Sequence, residues 1–305
     1  MRNISLKILA AAMTAMISGT FTAAHADDFK AEVKYAQVGD VKIAYYTRGQ
    51  GAPLLMISGY ASTMSIWDPE LLELLSQNHT LIMYDHRGVG LSTDTAENNT
   101  TIPQMADDGA GLLKAIGYEK ADILGWSMGA RISQQFLIRH PDVVNKAVLV
   151  APNAGGSTNF PATDKVENTL NDPSVPVLQK VDIAYPDNDV GRASGKDTVD
   201  RLGAAAKAGV VPNDFEVSAE TLARQTRART TLWSGSNENF DNLKNIKNPV
   251  LITGGRFDLI DLPRNANLIA NQIPYSWLAF YDGGHAFLFQ FRKQFAATVD
   301  AFLMQ

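Results

Sequence analysis

A serine placed between two glycines is the first residue in this chain that suggests chemistry. Ser127 stands in the stretch GWSMGA, with Gly125 and Gly129 two residues away on either side. A serine hydroxyl is a useful nucleophile only where a base takes its proton and an acid orients that base. The flanking glycines keep β-carbons out of a tight turn. The pattern is short enough to arise by chance in about one chain of this length in ten, so its surroundings must decide.

A carboxylate and a histidine that could activate the serine follow it in the sequence. His285 lies in YDGGHAF, where two glycines allow the loop to aim an imidazole. The stretch VLITGGRFDLIDLP offers two carboxylates. Asp258 stands nearer the end of the apolar run and is the preferred partner of His285. Asp261 stands beside Pro263 and is predicted to cap the next helix, but it remains the alternative acid. Ser127, Asp258 and His285 are the predicted catalytic residues.

Short apolar runs recur along the chain and predict strands buried on both faces. They occupy residues 53–58, 81–85, 121–126, 146–151, 249–254 and 277–282. Such runs are typical of a parallel sheet that is covered on both sides. An alternating stretch over 31–49, with a turn at Gly39 and Asp40, predicts an antiparallel pair of strands in front of them.

Helical patterns lie between the predicted strands. They cover residues 68–77, 102–116, 131–140, 264–273 and 286–303. This alternation predicts an α/β fold with a mostly parallel, eight-stranded sheet flanked by helices. Residues 153–245 are rich in Asn, Asp, Gly and Pro and predict a mainly helical insertion between the sixth and seventh strands. Ser127 then falls between a strand and a helix, which is the context of a nucleophile elbow.

The first 26 residues differ in character from the rest of the chain. Arg2 and Lys7 precede an uncharged apolar run, and Ala24 and Ala26 stand where small residues mark a cleavage site. This pattern is typical of a secretory signal peptide that is removed after Ala26. The sequence therefore predicts a periplasmic or secreted protein.

Composition narrows the range of partners. The net charge is −5 and the charges are interspersed, which argues against nucleic acid as a partner. The chain has no cysteine, which excludes a thiolate nucleophile and a disulfide framework. No later apolar run approaches membrane length, so no stable membrane insertion is expected after the signal is removed. The histidines are scattered, and neither a metal nor a cofactor site is predicted.

These motifs resemble those of the α/β-hydrolase fold superfamily, in its branch of serine hydrolases and esterases with a helical cap. GWSMGA is similar to the nucleophile elbow of the family, GRFD to its acid turn and GGHAF to its histidine loop. The resemblance covers most of residues 31–305. It implies a hydrolase core formed by 27–152 and 246–305, with a helical cap at 153–245.

The same resemblance implies an oxyanion hole made of two backbone amides. One belongs to Met128, directly after the nucleophile, and the other to Tyr60 in SGYAST, after the third strand. The family more commonly has His-Gly in that loop, where this chain has Ser58 and Gly59. A backbone donor survives that change, so Tyr60 keeps its predicted role.

The nucleophile itself separates this chain from some proteins of the same fold. Dehalogenases and epoxide hydrolases attack a saturated carbon with an aspartate, whereas a serine with an oxyanion hole suits attack on a carbonyl carbon. The expected function is hydrolysis of a small-molecule carboxylic ester through an acyl-enzyme. The alternatives are a perhydrolase similar to non-haem haloperoxidases, another acyl or C–C hydrolase on the same triad, and a ligand-binding receptor that retains the triad. The substrate and the oligomeric state stay open.

Overall fold

The computed structural model describes residues 29–95, 100–172, 174–175 and 177–305. The predicted signal peptide, residues 1–26, lies outside the described residues. In the described part of the chain, no helix has the length and apolar character needed to cross a membrane.

A single sheet of eight strands organises the described residues, in the order β1-β2-β4-β3-β5-β6-β7-β8. The strands are β1 Lys34–Val38, β2 Val41–Arg48, β3 Ala52–Ile57, β4 His79–Tyr84, β5 Ala121–Trp126, β6 Val144–Val150, β7 Val250–Gly255 and β8 Ser276–Tyr281. β2 pairs antiparallel with β1 and with β4. All other neighbouring strands are parallel. The predicted α/β fold with a mostly parallel, eight-stranded sheet is confirmed.

Helices fill the connections between the strands. They are α1 Pro69–Leu75, α2 Ile102–Ala115, α3 Met128–Arg139, α4 Asp164–Asn171, α5 Val177–Ile183, α6 Asp189–Ala208, α7 Ala219–Thr226, α8 Glu238–Asn242, α9 Pro263–Gln272, α10 Phe287–Gln290 and α11 Arg292–Leu303. A π-helical turn, Arg227–Leu232, directly continues α7.

The core is split by the sheet into two layers. Along β3, Leu55 and Ile57 pack with residues of α2, α3 and α9 on one face. Leu54 and Met56 pack with residues of α1 and α11 on the other face. Successive side chains of a strand point to opposite faces, so a strand covered on both sides needs apolar residues at every position. This explains the uninterrupted apolar runs of the central strands.

The last strand departs from the predicted burial on both faces. β8 is an edge strand, and its residues Trp277 and Leu278 are 45% and 40% exposed. The apolar run in the sequence is as strong there as in the central strands. Apolar character alone cannot separate an edge strand from a central one, because that difference depends on which neighbours are present.

Two helix boundaries also differ from the sequence prediction. The helix predicted at 131–140 begins three residues earlier, at Met128, because the turn at the end of β5 leads directly into it. The helix predicted at 286–303 is divided at Phe291, whose φ of −110° and ψ of 36° are not helical.

Residues 153–245, named the insertion below, lie between β6 and β7 and contain α4 to α8. The described residues of this segment add no strand to the sheet. Its helical character is as predicted, whereas its role as a cap stays a prediction.

The first turn of α3 crosses the end of β3 with the two backbones in direct contact. A β-carbon on Gly129 would lie 2.0 Å from the carbonyl oxygen of Ile57. A β-carbon on Gly125 would lie 2.2 Å from the carbonyl oxygen of Gly129. Only glycine fits at these two positions, which is the physical reason for both glycines of GWSMGA.

The Gly129→Ala variant is expected to lower the free energy of unfolding by about 2 kcal/mol or more, because the added methyl meets backbone that cannot move aside. The matched control is Gly203→Ala in α6, where nothing lies within 4 Å of an added β-carbon. That change is expected to stabilise by about 0.5–1 kcal/mol, since alanine is favoured over glycine inside a helix. Urea unfolding measures both, and equal effects of the two substitutions would contradict the packing argument.

Candidate active site

Ser127 occupies the sharp turn between β5 and α3. Its φ of 60° and ψ of −118° are a backbone conformation that residues with a β-carbon rarely adopt. Its amide donates to the carbonyl oxygen of Val150 in β6 at 2.8 Å, which holds the turn to the neighbouring strand. The serine is 9% exposed. Ser127 thus makes a sharp strand-to-helix turn with a positive φ, which is the backbone geometry that a nucleophile elbow needs.

The loop after β3 passes directly over the serine. A β-carbon on Gly59 would lie 3.2 Å from Cβ and 3.7 Å from Oγ of Ser127. Tyr60 is the next residue of this loop, and Met128 is the first residue of α3. Within the described part of the chain, no acceptor takes a hydrogen bond from the amide of Tyr60 or from that of Met128. Both amides predicted for the oxyanion hole are thus unpaired among the described residues, and the amide of Met128 lies at the N-terminus of α3, which carries partial positive charge. Their role as oxyanion donors stays a prediction.

His285 and Asp258 form a buried hydrogen bond. His285 Nδ1 lies 2.8 Å from Asp258 Oδ2, and the two side chains are 5% and 1% exposed. A carboxylate only accepts hydrogen bonds, so Nδ1 carries the hydrogen and Nε2 faces away from the acid. The carbonyl oxygen of His285 accepts from Trp126 Nε1 at 3.0 Å. This contact fixes the histidine loop beside the residue that precedes the nucleophile.

Burial and pairing act in opposite directions on the two titratable groups. Burial raises the pKa of Asp258, and the charge and hydrogen bond of His285 partly offset that rise. Burial lowers the pKa of His285, but the carboxylate of Asp258 outweighs it through its charge and hydrogen bond, so the pKa is raised. Asp261 adds to this rise, and the positive charge of Arg131 opposes it.

Ser127 is the one predicted catalytic residue that is not joined to the others by a hydrogen bond. Among the described residues, its Oγ forms no hydrogen bond with His285. In an enzyme without substrate such a contact is often long and tightens only when substrate binds. The structure therefore brings Asp258 and His285 into contact and places His285 against Trp126, the residue before Ser127, with ring centres 5.6 Å apart.

The prediction that Asp261 caps the next helix is wrong. The residue before the first turn of α9 is Leu262, and no side chain caps that helix. The carboxylate of Asp261 instead accepts from Arg131 Nη2 at 3.0 and 3.2 Å and from Asn153 Nδ2 at 2.6 Å. Both partners are distant in sequence, so a local cap was the simpler interpretation of an aspartate beside Pro263. Asp258, not Asp261, is the carboxylate that contacts His285.

Two buried residues after β4 brace the loop over the serine. Asp85 accepts from the amides of Met64 at 2.7 Å and Leu91 at 2.9 Å, and His86 Nε2 donates to the carbonyl oxygen of Ser58 at 3.1 Å. Burial raises the pKa of Asp85 to about 6, although both amides oppose the rise.

Contacts between the insertion and the same loop were not foreseen from the sequence. The hydroxyl of Tyr60 lies 2.9 Å from Thr226 Oγ1, and the guanidinium of Arg229 lies 4.4 Å from the centre of the Tyr60 ring. The amide of Ala61 donates to Gln225 Oε1 at 2.9 Å. The side chain of Tyr60 therefore packs against the insertion, while its amide remains free.

Two cavities on the described surface lie away from these residues. One of about 720 Å³ lies at the amino-terminal ends of β6 and β7. One of about 330 Å³ lies between the insertion, including the start of α8, and residues of α2 and α3. Neither is lined by the predicted catalytic residues. Among the described residues, no group of three or more His, Cys, Asp or Glu side chains is placed to hold a metal ion.

Two known proteins are similar to this chain in sequence. It is 34% identical over 112 residues to a protein of Mycobacterium tuberculosis (strain CDC 1551 / Oshkosh) named non-heme bromoperoxidase BpoC, over 36% of this chain and 42% of that protein. It is 26% identical over 257 residues to a protein of Caulobacter sp. (strain K31) named carbamate hydrolase RutD, over 82% of this chain and 90% of that protein.

A solved structure also superposes on this chain. An alpha/beta hydrolase fold protein from Chitinophaga pinensis superposes with a TM-score of 0.75 at 25% identity, over 91% of this chain and 98% of that chain. The model of the alpha/beta hydrolase fold family matches residues 52–291. Since that match spans well over half of the chain, this protein belongs to the α/β-hydrolase fold family and is a hydrolase by that kinship.

Proposed function

We propose that this protein is a serine hydrolase that cleaves carboxylic esters through an acyl-enzyme. The observation that carries the proposal is the buried hydrogen bond between His285 and Asp258 beside the elbow serine. A base oriented by an acid is what a serine hydroxyl needs in order to attack. The free amides of Tyr60 and Met128 supply the second requirement, which is stabilisation of negative charge on the attacked carbonyl.

In the proposed mechanism, Ser127 Oγ attacks the carbonyl carbon and its proton passes to Nε2 of His285. The amides of Tyr60 and Met128 bind the oxyanion, while Asp258 stabilises the imidazolium through Nδ1. When the tetrahedral intermediate collapses, the alkoxy group leaves with the proton from His285. Water then attacks the acyl-enzyme, with His285 as base, and releases the acid and Ser127.

Carbamate hydrolysis is the second candidate, because the relative matched over 90% of its own length is named as a carbamate hydrolase. A carbamate also presents a carbonyl carbon, so the same nucleophile, base and amides serve both reactions. The name of the bromoperoxidase relative keeps peracid formation within the same acyl chemistry. The three reactions differ in the group that enters or leaves, not in the residues that perform them.

We assign substrate choice to the insertion, acting as a cap. Support comes from its contacts with the loop over the serine, through Thr226, Arg229 and Gln225. A segment held against the loop that supplies an oxyanion amide is in position to shape the space for the acyl group. The core residues that do the chemistry leave that choice open.

The Ser127→Ala variant is expected to lose about 10⁴-fold or more of kcat on p-nitrophenyl butyrate, because the nucleophile is absent. The control is Ser174→Ala, an exposed serine of the insertion, which should keep wild-type kcat. A fluorophosphonate should label wild type on Ser127 alone, as mapped by mass spectrometry. Parallel assays on a carbamate and on acetate with peroxide rank the candidate reactions. Wild-type protein that turns over no acyl substrate while binding a ligand tightly would support a receptor instead.

Activity is expected to depend on pH through His285. The base must be neutral, and pairing with Asp258 raises its pKa, so kcat/KM should rise with pH through a midpoint above the ordinary histidine value. In Asp258→Asn the charge that raises this pKa is gone and burial prevails, so the midpoint should move to lower pH. The rate should fall by about 10³- to 10⁴-fold.

The matched control for this pH experiment is Asp282→Asn. Asp282 lies three residues before His285 but its side chain is 70% exposed, so water screens its charge. It should leave the midpoint unchanged. A midpoint that stays in place in Asp258→Asn would contradict the assignment of the acid.

We also propose export from the cytoplasm, from the pattern of the first 26 residues. The full chain produced in a bacterial host is expected to yield a mature protein that begins at Asp27. Mass spectrometry of the purified protein measures this. The variant Ala24→Lys, which places a charge at the small-residue site, should remain uncut. A wild-type chain that keeps Met1 in the cytoplasm would overturn the proposal.

A further inference from the structure

A second buried ion pair lies next to the catalytic residues and has no part in the proposed mechanism. Arg131 and Asp261 have side chains that are 5% and 1% exposed. Arg131 Nη2 reaches both oxygens of the carboxylate, at 3.0 and 3.2 Å. Moving two charges out of water costs several kcal/mol per ion, and apolar residues of similar volume often stabilise a core equally well. Fold stability alone is therefore a weak reason for this pair.

The pair joins the element that carries the nucleophile to the loop that carries the acid. Arg131 lies in the first turn of α3, and its amide donates to the carbonyl oxygen of Ser127 at 3.3 Å. Asp261 follows Asp258 by three residues, and its amide donates to Asp258 Oδ1 at 3.0 Å. The other oxygen of Asp258 is the one that contacts His285. Holding Asp261 in place therefore also holds the acid.

The same arginine reaches the insertion. Arg131 Nη1 donates to the carbonyl oxygen of Arg229 at 3.1 Å. Arg229 Nη2 in turn contacts Asn171 at 2.7 Å and Glu167 at 3.1 Å, both in α4. The guanidinium of Arg229 also covers the ring of Tyr60. One continuous set of contacts thus runs from the acid loop, through α3, to the insertion and the oxyanion loop.

We propose that Arg131 and Asp261 are positioning residues, which hold the Asp258 loop against the nucleophile helix and set the electrostatic balance at His285. This rests on the proposed function, in which Asp258 and His285 act as acid and base. Neither residue of the pair touches the reacting atoms in that mechanism. Their contribution is expected in kcat and in the pH dependence rather than in KM.

The electrostatic part follows from the charges that surround the histidine. The charged groups that act on His285 are Asp258, Asp261 and Arg131, with the two aspartates raising its pKa and the arginine lowering it. Arg131 itself lies in the field of Arg229 and Glu167 as well as of Asp261. While both members of the pair are charged, their effects on the imidazole oppose each other. Removing one member leaves the other uncompensated.

Three variants separate positioning from simple stabilisation. Arg131→Met should move the midpoint of the His285 titration to higher pH, and Asp261→Asn should move it to lower pH. The double variant should return the midpoint close to that of wild type. Its kcat should nevertheless stay about 10- to 100-fold below wild type, because the acid loop is no longer held and small displacements of catalytic groups are costly. KM should change less than kcat.

The control is the double variant Arg87→Met/Asp108→Asn. This pair is equally buried, with side chains 2% and 4% exposed and a 2.6 Å contact. It should lower the unfolding temperature and leave the His285 midpoint in place. If the Arg131 and Asp261 variants behave in the same way, the pair only stabilises the fold and the proposal is wrong. If Arg131→Met does not fold, Asp261→Asn and the double variant decide.

The imidazole titration is measured by NMR on histidine-labelled protein, alongside the pH profile of kcat. NMR does not depend on turnover, so the two proposals fail in different ways. Wild type without Ser127-dependent hydrolysis would refute the proposed function, while opposite NMR shifts in the single variants would still support the electrostatic role of the pair. Normal hydrolysis with unmoved midpoints would refute the positioning role alone.

Discussion

The site depends first on how closely α3 crosses the end of β3. At Gly129 the two backbones touch, because a β-carbon there would lie 2.0 Å from the carbonyl oxygen of Ile57. That contact fixes where α3 begins, and the chain must reach it within one residue after β5. Ser127 is the single residue that makes this turn, and its φ is 60°. A strained residue of this kind costs of order 1–3 kcal/mol and persists only where the surroundings over-determine it, as the buried β5 and α3 do here.

The same crossing brings the loop after β3 and the first turn of α3 together at Ser127. The loop after β3 is carried over Ser127 at Gly59, and the first free amide of α3 follows the serine directly. Under the proposed function, the amides of Tyr60 and Met128 do not have to move when negative charge develops on the substrate, because the fold already holds them in place. Asp85 and His86 hold this loop through hydrogen bonds to the backbone of Met64 and Ser58. Two buried polar residues directly after β4 thus support the site without taking part in its proposed chemistry.

The features that the sequence predicts well are those fixed by neighbours in the chain. The central strands carry continuous apolar runs because both of their faces are covered, and Ser127 lies between a strand and a helix that are both evident locally. The partners of Asp261 were missed because Arg131 lies 130 residues away, and nothing near an aspartate beside Pro263 records that contact. The exposure of β8 was missed for a related reason. Whether a strand lies at the edge of the sheet depends on other segments of the chain, and the residues of the strand do not record it.

Tyr60 connects the insertion directly to the proposed oxyanion hole, because its side chain contacts the insertion and its amide is a proposed donor. Its amide has no hydrogen-bond acceptor among the described residues, while its hydroxyl contacts Thr226 and its ring contacts Arg229, both in the insertion. Under the proposed function, a substrate that packs against the insertion also acts on the residue that supplies an oxyanion donor. Binding energy from a remote part of the substrate can then be used in the transition state rather than in the ground state. Substrate choice would in that case be expressed in kcat as well as in KM.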